Sequence, residues 1–252
     1  LRLGQRATIR GRRFLNLHEY QSAQILAAGG VTVPRGIAAT SVEECVKAAE
    51  QLKGDEVVIK SQILAGGRGL GTFTNGFQGG VHVIPKSKTQ EYAEKMIGQT
   101  LVTKQSGPEG KPVNTVLMAE KMDLVNEMYF AILLDRAFGG PVVIACAEGG
   151  TSIEDLAEKY PEKIKKVPID IVAGMTDQQA SEIVDALEIS GDKNAAIEQV
   201  KNLYGVFRDS DCTMVEVNPL AEDSNGTLIA ADAKLGFDDN TAFRQKDIFA
   251  QR

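Results

Sequence analysis

The run Val57-Val58-Ile59-Lys60-Ser61-Gln62-Ile63-Leu64-Ala65 leads into Gly66-Gly67-Arg68-Gly69-Leu70-Gly71. Three more glycines, Gly76, Gly79 and Gly80, precede Val81-His82-Val83-Ile84. The β-branched segment before the glycines and the apolar segment after them predict two strands joined by a glycine-rich loop. Seven glycines in residues 66–80 let backbone N–H groups come close to anionic oxygens and tolerate positive φ. The spacing is neither GxxxxGK[ST] nor GxGxxG, and a strand rather than a helix follows. That excludes a P-loop and a dinucleotide fingerprint. A flexible hairpin without a ligand fits the loop equally well. Lys60 closes the first strand, and a lysine in so apolar a segment needs an anionic partner or a place on an edge facing water. A phosphate held by the neighbouring glycines would be such a partner.

Outward from this stretch, 16–29 and 41–53 read as helices, with Asn16 and Ser41 as caps and Gly29 and Gly54 at the exits. A third helix falls at 88–97, and two more at 177–189 and 192–208. Strands are expected at 113–119, 127–134, 141–147, 213–217 and 227–233. Asn225-Gly226 between the last two is a hairpin signal. Adjacent strands joined by tight turns and mixed with helices make the fold class α+β with antiparallel sheets.

Two acids and an oxygen pair stand out. Glu120 ends one apolar strand and Glu127 opens the next. Their connector, 121–126, can offer backbone N–H and C=O groups to a purine edge, and a carboxylate there can accept ribose hydroxyls; two solvated strand ends are the plain alternative. Glu216 and Asn218 alternate with Val217 and so share one face of a strand. The Asn225-Gly226 hairpin would bring Asn218 opposite Asp232. Two hard oxygen donors on neighbouring strands, with positions left for phosphate and water, suit Mg2+; a polar cross-strand pair is the alternative. The two histidines, His18 and His82, have no triad-like neighbours and read as structural.

Composition is that of a globular chain: 252 residues, 43% hydrophobic, 25% charged, net charge −6. Nothing in it points to nucleic acid, and no apolar run approaches a membrane span. Cys45, Cys146 and Cys212 are scattered and predict buried thiols in a reducing compartment. Residues 1–14 carry Arg2, Arg6, Arg10, Arg12 and Arg13 and no acid, which reads as the remnant of an organelle transit peptide or as a basic arm.

Four stretches together carry a family resemblance: Asn16-Leu17-His18-Glu19-Tyr20-Gln21, Lys60 to Gly69, Glu216-Val217-Asn218-Pro219-Leu220 and Phe243-Arg244-Gln245. From about Leu15 onward the chain resembles the β subunits of succinate–CoA ligases, ADP-forming type. The resemblance implies an ATP-grasp fold over 15–252, with two α+β subdomains enclosing ATP or ADP. It implies that Lys60 and the Gly67-Arg68-Gly69 backbone hold phosphates, that Glu120 and Met122 lie at the base and that Glu127 takes the ribose. Asn218 and Asp232 would ligate Mg2+, and Glu216 would steady a phosphohistidine. That histidine belongs to a partner α subunit, and the implied reaction is succinate + CoA + ATP ⇌ succinyl-CoA + ADP + phosphate in the mitochondrial matrix. Pro34 stands where GTP-using members carry a polar residue, which favours ATP. The family continues into a second domain, while this sequence ends at Ala250-Gln251-Arg252. The expectation is therefore a nucleotide-binding part, inactive alone. Malate–CoA ligase, ATP citrate lyase and a non-catalytic nucleotide-binding module are the competing readings.

Overall fold

A computed structural model describes residues 15–150 and 153–251. The 1–14 leader reading lies outside them. In chain order the elements are α1 (Glu19–Ala28), β1 (Gly36–Ala39), α2 (Val42–Gln51), β2 (Glu56–Ser61), β3 (Thr72–Phe73), β4 (Val81–Pro85), α3 (Thr89–Met96), β5 (Thr100–Val102) and β6 (Lys111–Pro112). They continue with β7 (Val116–Glu120), β8 (Leu124–Asp135), β9 (Gly140–Cys146), α4 (Ile153–Lys159), β10 (Lys165–Pro168), α5 (Asp177–Ala186) and α6 (Lys193–Asp209). The last are β11 (Cys212–Asp223), β12 (Leu228–Ala230), β13 (Ala233–Phe237) and α7 (Lys246–Phe249).

Two antiparallel sheets face each other. The smaller runs β1-β7-β2-β4, with β2 against β4 in the pairing Lys60↔Val81, so the glycine loop does join two antiparallel neighbours. The larger runs β10-β9-β8-β11-β12, with β13 also paired to β11. A small sheet, β3-β5-β6, flanks the first. Each main sheet has its own apolar core. Ile59, Met118, Cys45, Ala48 and Met96 fill the smaller, under α2 and α3. Phe130, Ile132, Val215, Val217, Ile183, Val200 and Leu203 fill the larger, under α5 and α6, and Leu26 of α1 joins them. This is the expected two-subdomain α+β architecture. No helix among the described residues is long and apolar enough to cross a membrane.

Local details follow the residues. Ser41 Oγ accepts the Glu44 N–H at 3.2 Å and caps α2, as its spacing predicts. The first helix departs from expectation. It begins at Glu19, and Gln21 Oε1 accepts the His18 N–H at 2.9 Å. Asn16 is instead drawn into a bridge with Gly236 of β13, so the chain stays extended there. The cysteines are buried and free, and burial pushes the Cys45 and Cys212 thiols up to about 12.

Candidate functional site

The cleft between the sheets is built by alternation on four strands. On β2, Val57 and Ile59 enter the smaller core and Lys60 takes the other face. On β7, Met118 enters that core while Leu117 and Ala119 line a small cavity beside Lys60. On β11, Val215 and Val217 enter the larger core, leaving Met214, Glu216 and Asn218 to line the cleft. On β13, Leu235 goes to the core and Lys234 and Gly236 to the cleft. The cleft has a volume of about 530 Å³. Gly66, Gly67, Arg68 and Gly69 bound it from the smaller sheet, and Glu216, Asn218 and Asp232 bound it from the larger. Gly67, at φ +76°, starts the short turn that presents Arg68.

The hairpin register sets the oxygen pair. Leu220 pairs with Ala230 and Val217 with Ala233, which places Asn218 opposite Asp232; the Asn218 N–H donates to the Asp232 carbonyl at 3.0 Å. Pro219 has no N–H for the ladder, and the pairing of β11 with β8 slips between Val217 and Leu220. Such a bulge re-aims side chains at a sheet rim. Asn218 Oδ1 accepts the Gly150 N–H at 2.9 Å. The expected strand 227–233 is broken at Ala231-Asp232, so the oxygens come from β11 and from the junction of β12 and β13 beside it. This donor chemistry fits Mg2+, two hard oxygens bordering a cleft wide enough to admit phosphate and water as further ligands.

Four charges interlock across the cleft. Glu19, in the first turn of α1, accepts Lys60 Nζ at 2.8 Å and Arg68 Nη1 at 2.7 Å. Arg68 Nη2 reaches Asp232 Oδ2 at 2.9 Å. Gln62 Nε2 adds a third donor to Glu19 at 3.2 Å. Only 7% of the Glu19 side chain is exposed, against 33% for Asp232. Burial works against the charge of Glu19, but Lys60 and Arg68 outweigh it and hold its carboxyl below the usual range. Burial, then the charge of Glu19, pushes the Asp232 carboxyl upward against Arg68 and Lys60. Two cations and two anions leave the cluster neutral. Burial, then Arg68, lowers the pKa of nearby His18, so it adds no charge of its own at neutral pH.

The remaining sequence-predicted residues spread along the cleft and beyond it. Glu216 accepts Tyr129 Oη at 3.3 Å and Lys234 Nζ at 3.2 Å. Glu127 is exposed on β8, and its carboxylate lies over Gly150, one hydrogen bond from Asn218. Met122 sits half-buried in the connector between β7 and β8. Glu120 stands apart. Alternation on β7 puts it on the helical side, where Oε1 accepts the Lys53 N–H at 3.1 Å and lies 3.8 Å from Arg35. His82 Nε2 is bonded to the Gly79 carbonyl at 2.7 Å and packs against Phe77 and Tyr92, a structural setting. Glu19 and Gln62 are the residues that sequence reasoning missed as site members. A lysine needing an anion was legible at Lys60, but nothing in the spacing singled out a helix-entry glutamate as that anion.

The ATP-grasp domain family matches residues 16–222. Over 243 residues the chain is 58% identical to the mitochondrial, ADP-forming succinate–CoA ligase β subunit of Arabidopsis thaliana, an alignment covering 95% of this chain and 58% of that protein. Against the GDP-forming mitochondrial β subunit of Mus musculus, identity is 47% over 241 residues, covering 95% of this chain and 56% of that one. The chain thus spans little more than half the length of these relatives. Among solved structures, ATP citrate lyase from Methanothrix soehngenii superposes with a TM-score of 0.69 at 17% identity, covering 95% of this chain and 55% of that one, a likeness of fold. The two-sheet cleft and the family match agree that the chain belongs to the ATP-grasp domain family, and over nearly its whole length it is similar to succinate–CoA ligase β subunits.

Proposed function

We propose that this chain is the Mg-ATP-binding, phosphoryl-transferring part of an ADP-forming succinate–CoA ligase. The whole enzyme would interconvert succinate, CoA and ATP with succinyl-CoA, ADP and phosphate. One observation carries the reading. Asn218 and Asp232 face each other across a hairpin, in a cleft whose other wall is the Gly67-Arg68-Gly69 backbone, and Lys60 joins them through Glu19.

The roles follow from charge and position. Lys60, Arg68 and the loop amides would hold phosphate oxygens and offset the charge of the transferring phosphoryl group. Asn218 and Asp232 would hold Mg2+, which neutralises charge on the triphosphate. Glu127 would accept ribose hydroxyls. The connector holding Met122 would meet the base, and with the Glu120 carboxylate turned to Lys53 and Arg35, main-chain groups of 119–122 would make that contact. Glu216, already an acceptor for Tyr129 and Lys234, would take the N–H of a phosphohistidine delivered by a partner α subunit. Neither His18 nor His82 suits that task here: one is half-buried with a lowered pKa and the other is tied to Gly79. Pro34 lines the small cavity beside Lys60 with an apolar ring, in keeping with ATP over GTP. The mitochondrial relatives support a matrix location.

Calorimetric titration of the chain with ATP and with GTP, each with and without Mg2+, tests the binding half. Tighter binding of ATP than GTP, strengthened by Mg2+, is expected; no nucleotide binding would sink the reading. Assay of the full-length complex with its α subunit tests the acid: turnover of malate in preference to succinate would move the chain to another acid–CoA ligase.

A further inference from the structure

We propose that Glu19 is a positioning residue that holds the Arg68 guanidinium while Mg2+ takes Asp232. This rests on the assignment of Asp232 and Asn218 to Mg2+ made above. Arg68 divides its two terminal nitrogens between two carboxylates, Nη1 to Glu19 at 2.7 Å and Nη2 to Asp232 at 2.9 Å. Nη1 also donates to the Ser61 carbonyl at 2.9 Å. A metal ion arriving at Asp232 meets a cation already bonded to the oxygen it needs. Two cations on one carboxylate repel, so Arg68 must yield there without becoming an unpaired buried charge, which is costly.

Glu19 supplies that second anion in place. Its carboxylate is 7% exposed, sits in the first turn of α1 where a negative charge is favoured, and is fixed by Gln62 Nε2 at 3.2 Å as well as by Lys60 at 2.8 Å. Gln62 is itself buried and accepts the Tyr20 N–H at 3.3 Å, tying the acid to β2. Arg68 can therefore turn Nη2 from Asp232 toward a phosphate oxygen while Nη1 keeps its counter-charge. Without Glu19, Asp232 becomes the sole carboxylate partner of Arg68, and the guanidinium competes harder with the metal. Lys60, freed of its acid, becomes a stronger site for a bare phosphate. Loss of Glu19 should thus raise the metal requirement without weakening metal-free nucleotide binding, a split that a purely structural residue would not produce.

The test is calorimetric titration of the full chain with ATP over a series of MgCl2 concentrations, with thermal melting alongside. In Glu19→Gln, the Mg2+ concentration that half-saturates the tight-binding form should rise about tenfold, the loss expected for one charge-assisted hydrogen bond. Affinity for ATP without Mg2+ should hold or increase. Arg68→Met should lower the half-saturating Mg2+ concentration, and adding Glu19→Gln to it should then change that value less than about twofold, because the competitor is gone. An unchanged Mg2+ requirement in Glu19→Gln, or equal weakening with and without Mg2+, overturns the inference. If Glu19→Gln does not fold, Arg68→Met decides: a requirement that stays the same overturns it. If ATP binding by the parent chain ignores Mg2+, the metal assignment itself fails and takes this inference with it.

Discussion

Asp232 lies between a guanidinium at 2.9 Å and an open cleft, and what its loss does depends on whether Arg68 keeps another anion. It does, because Glu19 remains at 2.7 Å. Asp232→Asn should therefore leave the melting temperature within a few degrees of the parent, since a third of the side chain is already exposed. It should weaken Mg2+-supported ATP binding by about tenfold or more while barely changing binding without metal. A collapse in melting with affinity per folded molecule unchanged would make Asp232 structural. Lys60→Met separates the two charges. It removes the proposed phosphate donor rather than a proposed metal ligand, so ATP affinity should drop by about tenfold to a similar degree with and without Mg2+. A loss confined to the Mg2+ series would show that Lys60 acts through the metal. The contrast between Lys60 and Glu19 shows what a sequence yields at this scale. An apolar strand ending in lysine announces the need for an anion in one local stretch. The acid that meets the need is 41 positions away, and only the folding of α1 onto the cleft brings it there. Glu120 shows the converse: its place at a strand end was legible, but alternation on β7 turns its carboxylate to Lys53 and Arg35.

At the scale of elements, β11 organises the larger sheet, pairing with β8, β12 and β13. Its sequence was legible in part. The alternation Met214-Val215-Glu216-Val217-Asn218 and the Asn225-Gly226 turn predicted the face, the hairpin and the opposition of Asn218 and Asp232, and the register agrees. Its length was not. The strand runs to Asp223 because its polar end is satisfied within the sheet: Glu222 is fully buried, and it accepts Asn126 Nδ2 at 2.8 Å, the Gly191 N–H at 2.7 Å and the Ser190 N–H at 3.0 Å. A reading by hydrophobic alternation stops at such residues, since partners from β8 and from the turn before α6 are invisible in one local window. Gly191 belongs to this contact for a steric reason, because a Cβ there would run into the Gly226 carbonyl of the hairpin. Burial opposes the charge on Glu222, but the bonds from Asn126, Gly191 and Ser190 prevail and hold its pKa below the ordinary carboxylate value. A lowered folded pKa means that this stabilisation is complete above the unfolded value, about 4.3, and fades as pH falls through the folded one. Glu222→Ala should cost about 3 kcal/mol at pH 7, because it strands buried donors. The gap between parent and variant in urea unfolding should narrow on going from pH 7 to about pH 3. A gap independent of pH would mean that Glu222 acts through shape alone.

Across the whole molecule, two independent cores meet at a polar seam. Each main sheet buries its apolar residues under its own helices, and the Glu19, Lys60, Arg68 and Asp232 contacts cross between the sheets. Lys60 and Arg68 come from the smaller sheet and its loop, and Asp232 from the larger. A phosphate chain bound between them would touch both halves and take over from the Arg68–Asp232 pair, one of the ion pairs that join them in the free chain. Binding stabilises by mass action, by about 2.7 kcal/mol at a hundred times the dissociation constant. Where that stabilisation appears depends on what the ligand bridges. A nucleotide held by the glycine loop alone would slow amide exchange only in β2, β4 and their neighbours. A nucleotide shared by both walls should slow it in β11 and β13 as well, and to a comparable degree, since opening either half would break the same contacts. Hydrogen exchange of the chain with and without Mg-ATP measures this directly. Protection confined to the smaller sheet would separate Asn218 and Asp232 from the nucleotide site, however close the hairpin lies to it.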